Sequence, residues 1–311
     1  MTQTSEYVFG PVASRRLGRS LGVDIAPAKV CTLDCIYCEV GRTTLRTVER
    51  RPYVQMEEVL AELKTRLHQG VRPDYITITG SGEPTLNSQL GQIIDRIKAL
   101  SHIPVALITN GTLLYRQDVR DEAAKANLVM PTFDAADPST FEAIHRPHAD
   151  ITVEILIEGL VAFRSQYKGP IWLEVFLVEG VNTSSGHIQR LKALIERIRP
   201  DKIQLNTAVR PTADPDVTRP SLSRLQLIAE ELGPLCEIIA DYSKLPAPGS
   251  TPLKTQDLLT LLRRRPCTLD ELCAGLGVTR DQAALQVEAL VRTQQILAEF
   301  KDGVTFYKTV S

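Results

Sequence analysis

The chain has 311 residues, enough for about two domains, or for one large α/β barrel with an appendage. Lys plus Arg number 36 and Asp plus Glu 37, and a balance of 23% charged to 43% hydrophobic residues excludes a histone-like binder, an acidic solvating tail and a disordered chain. The first thirty residues hold no apolar stretch of signal-peptide length and no run approaches membrane-spanning length, so a soluble, cytoplasmic protein without membrane association is expected.

In chain order, strands are predicted at 21–25, 75–79, 105–109, 128–133, 172–178 and 202–206. Helical patterns at 55–69, 87–100, 116–126, 138–165, 186–198 and 221–233 alternate with them, with apolar residues at helical spacing such as Ile93, Ile94, Ile97 and Leu100. Six strand-helix units imply parallel strands joined by right-handed crossovers. Their natural closure is an α/β fold of the partial (β/α)6, TIM-like barrel type, with chemistry at the C-terminal strand ends. An open doubly wound sheet is the alternative. Three prolines with Gly and Ser between Leu245 and Pro252 predict a linker over 245–254, dividing a barrel at 1–244 from a second domain at 255–311. That domain shows helical patterns at 255–263, 268–275 and 280–295. A hairpin signal follows, 296–300 and 304–308 around Asp302-Gly303, which is the order of a small C-terminal winged-helix domain.

Of six cysteines, three fall in Cys31-Thr-Leu-Asp-Cys35-Ile-Tyr-Cys38, directly after the first strand, which is the wrong distribution for a secreted disulfide scaffold. A structural zinc site usually takes two close ligand pairs, and the nearest downstream histidine is His68. Three thiolates on one loop suit a 4Fe-4S cubane better and leave one iron open. This CxxxCxxC spacing, with Tyr37 before the third cysteine, resembles the signature of the radical S-adenosylmethionine (SAM) superfamily. The resemblance implies an enzyme whose cofactors are a 4Fe-4S cluster on Cys31, Cys35 and Cys38, and SAM chelating the open iron. It also implies a reduced flavodoxin or ferredoxin-type electron donor. Reductive cleavage of SAM would yield methionine and a 5'-deoxyadenosyl radical that abstracts hydrogen.

Thr79-Gly-Ser-Gly-Glu-Pro84 ends the second strand, and its glycines admit close backbone approach to a ligand at a barrel mouth. By resemblance it matches the family's GGE-type motif that binds the SAM amino group, with Gly82 and Glu83 at the matching positions and Ser81 in place of the motif's first glycine. Read from its residues alone, the alternative is an ordinary strand-to-helix turn capped by Thr85 or Asn87. Asn110 after the third strand and Asp134 after the fourth are candidate SAM contacts, or else a turn residue and a helix cap. Tyr37 is expected near the SAM adenine. Glu174, Gln204 and Asn206 face either the barrel interior or an ordinary polar surface.

A closer resemblance covers residues 8–212 through Phe9–Asp24, Gly80–Asn87, Arg146-Pro-His148 and Gln204–Pro211. These look like the branch related to 4-demethylwyosine (tRNA imidazoguanosine) synthase, whose members build a tricyclic base in transfer RNA from pyruvate. The archaeal and eukaryotic enzymes of that branch bind a second cluster through upstream cysteines. Here no cysteine precedes Cys31, and Cys236, Cys267 and Cys273 are expected to be structural. The resemblance therefore implies a radical SAM enzyme acting on an unidentified substrate, an RNA base or a peptide or protein.

Arg15, Arg16 and Arg210 are candidate substrate residues, since guanidinium forks bind phosphate and carboxylate, or else they belong to a solvated basic loop. Arg146 and His148 are open between site and helix-end roles. Residues 255–311 carry seven basic and seven acidic side chains, so DNA is not an expected partner and a peptide-recruiting or dimerising module is favoured. The Arg263-Arg-Arg265 run is expected to be a helix C-terminus. A cluster-based winged-helix sensor is the rival from another class.

Overall fold

A computed structural model describes residues 7–240 and 255–310. The chain opens with β1 (Val8–Ser14), antiparallel to β2 (Gly18–Asp24). Two short parallel strands, β3 (Val30–Cys31) and β4 (Leu45–Arg46), pair at the foot of the cysteine loop. From β2 onward the sheet is parallel: β5 (Tyr75–Thr79), β6 (Val105–Thr109) and β7 (Leu128–Pro131) follow in spatial order. A second parallel sheet runs β8 (Trp172–Leu177), β9 (Lys202–Thr207) and β10 (Cys236–Ile238). Single bridges from Val129 to Ile171 and from Thr132 to Glu174 join the two sheets. The curved wall is thus continuous but unclosed, an incomplete barrel rather than a doubly wound sheet.

Seven helices alternate with these strands: α1 (Met56–His68), α2 (Leu90–Leu100), α3 (Gln117–Ala123), α4 (Pro138–His145), α5 (Val153–Gln166), α6 (Ser185–Ile198) and α7 (Leu222–Leu232). Their apolar stripes, such as Ile93, Ile94 and Ile97 of α2, meet Ile76, Leu107, Val175 and Leu205 of the strands in one core.

The single helix expected at 138–165 is two. Arg146 adopts a left-handed conformation (φ 42°) that ends α4, Pro147 disfavours helical continuation, and the Thr152 side chain caps α5 by accepting from the Ile155 amide. Four strands escaped the sequence reading, among them the two-residue β3 and β4. Pro11 and a register irregularity disguise β1 as a turn, and β10 is only three residues long.

The C-terminal segment forms α8 (Thr255–Arg264), α9 (Leu269–Leu276), α10 (Arg280–Arg292) and a hairpin of β11 (Ile296–Lys301) with β12 (Val304–Thr309). Capping boxes at Thr268/Glu271 and Thr279/Gln282 start α9 and α10. Leu258, Leu261, Leu262, Leu272, Val287, Leu290 and Ile296 give it its own core, which Val12 of β1 joins. Ion pairs Arg66–Asp257 (2.9 Å) and Arg210–Glu271 (2.5 Å) fasten it to the barrel. The expected linker, 245–254, lies outside the described residues. Among those described, no helix is long and apolar enough to cross a membrane.

Candidate active site

The cysteine loop leaves β3 and is held from behind by the end of α4. The last carbonyls of a helix lack intrahelical donors. Here Ile144 and His145 offer theirs to the amides of Ile36 and Asp34 (2.9 and 2.8 Å), while the His148 amide donates to the Thr32 carbonyl at 2.9 Å. The Arg146-Pro-His148 segment is therefore the scaffold of the cysteine loop. Cys35 Sγ lies 3.1 Å from His145 Nδ1, and burial holds that imidazole neutral, its pKa pushed down to about 3.

Cys31, Cys35 and Cys38 are free thiols. Burial pushes Cys31 up to about 12, with the Glu83 charge adding to it, and raises Cys35 and Cys38 as well; the Cys31 and Cys38 charges further raise Cys35. No three His, Cys, Asp or Glu among the described residues gather tightly enough for a single metal ion. A cubane takes each thiolate on a different iron, and three cysteines within eight residues of one loop suit it.

The Gly80–Glu83 turn is strapped to this loop. A Cβ on Gly82 would stand 2.0 Å from the Val30 carbonyl oxygen and 2.8 Å from that of Pro27, so only glycine fits. The Glu83 amide donates to Val30 O (3.0 Å), the Lys29 amide to Ser81 O (2.8 Å), and Ser81 Oγ to Asp24 Oδ2 (2.7 Å). Glu83, 2% exposed, is fully engaged. Its Oε1 accepts from the Thr85 amide (3.0 Å), Thr85 Oγ1 (2.6 Å) and Thr109 Oγ1 (2.6 Å), and its Oε2 from the Asn110 amide (2.8 Å). It is the cap of the short turn Pro84–Leu86, a role expected of Thr85 or Asn87. Its carboxylate braces the end of β5 to the end of β6.

Asn110 reaches the cysteine loop: its Nδ2 donates to Thr32 Oγ1 at 2.8 Å and lies 3.5 Å from Cys31 Sγ. Tyr37 stacks on Phe176, ring centroids 3.9 Å apart, and donates to Asp134 Oδ2 at 2.5 Å. Asp134 is wholly buried, its Oδ1 accepting from the Phe176 amide at 2.6 Å, and burial raises its carboxyl well above the usual range. It does not reach the cavity described next, and the cap of α4 is Asp137. Asp134 thus orients Tyr37 from beneath.

A cavity of about 370 Å³ opens beside the loop, lined by Tyr37, Cys38, Gly80 and Ser81, by Glu174 and Asn206 of the barrel interior, and by Arg15, Arg16, Arg210, Arg264 and Arg265. Gln204 instead donates to Glu237 Oε1 (2.7 Å). Arg15 donates to Asn206 Oδ1 (3.2 Å) and to the Ile239 carbonyl (2.9 Å), and Arg16 pairs with Glu174 at 2.5 Å. Arg210, expected on an open loop, is 1% exposed and grips both oxygens of Glu39 at 2.9 Å and Glu271 at 2.5 Å. Arg264 and Arg265, expected only to end a helix, belong to the cavity wall. No local signal marked them, because their place depends on how α8 docks.

The radical SAM superfamily model matches residues 25–191. This chain belongs to the radical SAM superfamily. Enzymes of that superfamily use a 4Fe-4S cluster and SAM, and this chain is one of them. It is 35% identical over 233 residues to a UPF0026 protein of Methanocaldococcus jannaschii, covering 74% of this chain and 71% of that one, and so also belongs with the UPF0026 proteins. It is 35% identical over 306 residues, 97% of its length, to a Brachyspira hyodysenteriae protein named GTPase Obg, of which it spans 45%. Among solved structures, TYW1 with a lysine-pyruvate adduct is similar in fold, with a TM-score of 0.52 at 20% identity over 72% of this chain and 75% of that one.

Proposed function

We propose that Cys31, Cys35 and Cys38 hold the 4Fe-4S cluster, that the Ser81–Glu83 turn seats SAM against it, and that the neighbouring cavity presents an RNA base for modification. When bound, cluster and SAM supply reductive cleavage to a 5'-deoxyadenosyl radical that removes hydrogen from the substrate. The observation that carries this reading is one cavity lined by Cys38, Tyr37, Gly80 and Ser81 together with five guanidinium groups, the basic lining that a phosphate-bearing substrate needs. The chain's own residues position the parts. Asn110 holds the Cys31 sulfur, Glu83 fixes the turn, and the stacked Tyr37 and Phe176 form a flat wall. Residues 1–244 act as the barrel module and 255–311 as a winged-helix module, in the cytoplasm, with a flavodoxin or ferredoxin-type donor.

A second reading, modification of a peptide or protein, rests on a groove of about 580 Å³ between Ala208–Arg219 and the hairpin tip, lined by Pro211, Pro215, Val217 and Phe300, the last 74% exposed. A cluster sensor acting through DNA is the weakest reading, because its C-terminal module has no net positive charge.

The test is anaerobic reconstitution with iron and sulfide, then dithionite and SAM, with 5'-deoxyadenosine measured in wild type and Cys35→Ala. Production in wild type, lost in the variant, is expected. A fully loaded, reducible cluster that yields none with or without RNA and peptide fractions would overturn the reading.

A further inference from the structure

The cavity beside the cysteine loop has an uneven charge. Five arginines line it against three carboxylates, Asp24, Glu39 and Glu174. Arg16 pairs with Glu174 (2.5 Å), Arg210 with Glu39 (2.9 Å) and Arg264 with Asp24 (3.5 Å). Behind the wall, Glu271 takes the second fork of Arg210. Even with Glu271 counted, the five guanidinium groups outnumber the carboxylates by one among the described residues.

Arg265, half-buried just beyond the end of α8, enters no ion pair among the described residues. Its charge acts on Glu39 only from a distance. Its neighbours are held rigidly. Arg264 lies over the Phe9 ring at 4.2 Å, and Arg15 is fixed by the oxygens of Asn206 and Ile239. Guanidinium groups already oriented lose little freedom when an oxyanion arrives, which is how a preorganised site gains affinity. Both Arg264 and Arg265 come from the C-terminal module, so the wall is incomplete without it.

We propose that this wall is an oxyanion subsite for the substrate, centred on Arg265, which recognises a phosphate or carboxylate group, and that the C-terminal module completes the substrate cavity instead of serving as a detached recruiting domain. The subsite rests on the reading of this cavity as the reaction chamber and names the chemistry that chamber selects.

The experiment uses the full chain with its cluster reconstituted and SAM present, under anaerobic low-salt conditions. Pyrophosphate, malonate and an unstructured oligoribonucleotide are each titrated by calorimetry. Saturable one-to-one binding of pyrophosphate is expected, weakened at least tenfold in R265Q, partly restored in R265K and unchanged in R263Q, whose side chain is exposed on the same helix. Arg265-dependent binding of malonate alone would assign the oxyanion to a carboxylate. Competition between the oligoribonucleotide and pyrophosphate would assign it to an RNA phosphate, and its absence to a free phosphorylated molecule.

Equal binding in wild type and in an R265Q protein with native melting behaviour, or no saturable binding of any probe, overturns the proposal. The two readings fail separately. Abundant 5'-deoxyadenosine without oxyanion binding rejects the subsite and leaves the radical chemistry standing. Arg265-dependent binding without 5'-deoxyadenosine does the reverse.

Discussion

Glu83→Gln tests whether this residue braces the site or touches SAM. In the native turn three donors converge on Oε1 and the Asn110 amide points at Oε2. A glutamine that keeps its carbonyl where three donors meet must turn its NH2 group toward the Asn110 amide, so one charge-assisted bond is lost and donor faces donor. Bonds to charged groups contribute about 1.5–3 kcal/mol and a buried unsatisfied donor costs about 1–3 kcal/mol. Relief of the buried charge, whose cost shows in the upward pKa of Glu83, offsets part of this, leaving about 2–4 kcal/mol. For a domain of this size that lowers the Tm by about 4–16 °C. The assay is a far-UV circular dichroism melt of cluster-free protein with chelator present, so that neither cofactor contributes. A Tm within about 2 °C of wild type would refute the bracing argument, and a selective loss of SAM affinity at unchanged Tm would make Glu83 a direct SAM contact.

Gly82→Ala drives a methyl group into the Val30 and Pro27 carbonyls, which carry the cysteine loop; overpacking costs about 1–3 kcal/mol, and iron retained after reconstitution should fall well below wild type, whereas full iron loading would show that the loop yields freely. Burial lowers the pKa of His187 below 6.5 in the folded state, although Asp137 at 3.4 Å opposes this. Below pH 6.5 the unfolded chain therefore binds the extra proton; the stability from neutral His187 is fully present above that pH and is lost as pH falls toward the folded value. Urea midpoints between pH 7 and pH 5 should decline less steeply in His187→Gln, by at most about 1.4 kcal/mol per pH unit, and identical slopes would remove His187 from the account. Cys267 is wholly buried, its thiol raised to about 11, so at pH 8 about one molecule in a thousand carries the thiolate. Iodoacetamide should leave it unmodified in native protein, and rapid labelling found by mass spectrometry would mean that the C-terminal module opens.

Much of the barrel was legible because its information is local. Strands β5 and β6 fell at the residues expected, since β-branched runs bounded by polar turns carry their own period, and the order of three helices and a hairpin was readable for the same reason. The proposed ligand set was legible too, because Cys31, Cys35 and Cys38 lie within eight consecutive residues in a spacing that resembles the superfamily signature. The break at Arg146 was missed although Pro147 and the polar run around it marked the place.

What only packing decided is how the residues around those cysteines are used. Glu83 stands in the motif that sequence names, but only packing shows donors from Thr109 and Asn110 on both of its oxygens. Asp134 looked exposed at a strand end until Tyr37 covered it. Arg210 became an internal strut, while Arg265 entered the cavity wall from another module. A sequence shows which side chains share one loop, because their proximity follows from a few consecutive dihedrals; it leaves open which charges meet across a cavity, because partners such as Arg16 and Glu174 are set by how separate elements dock.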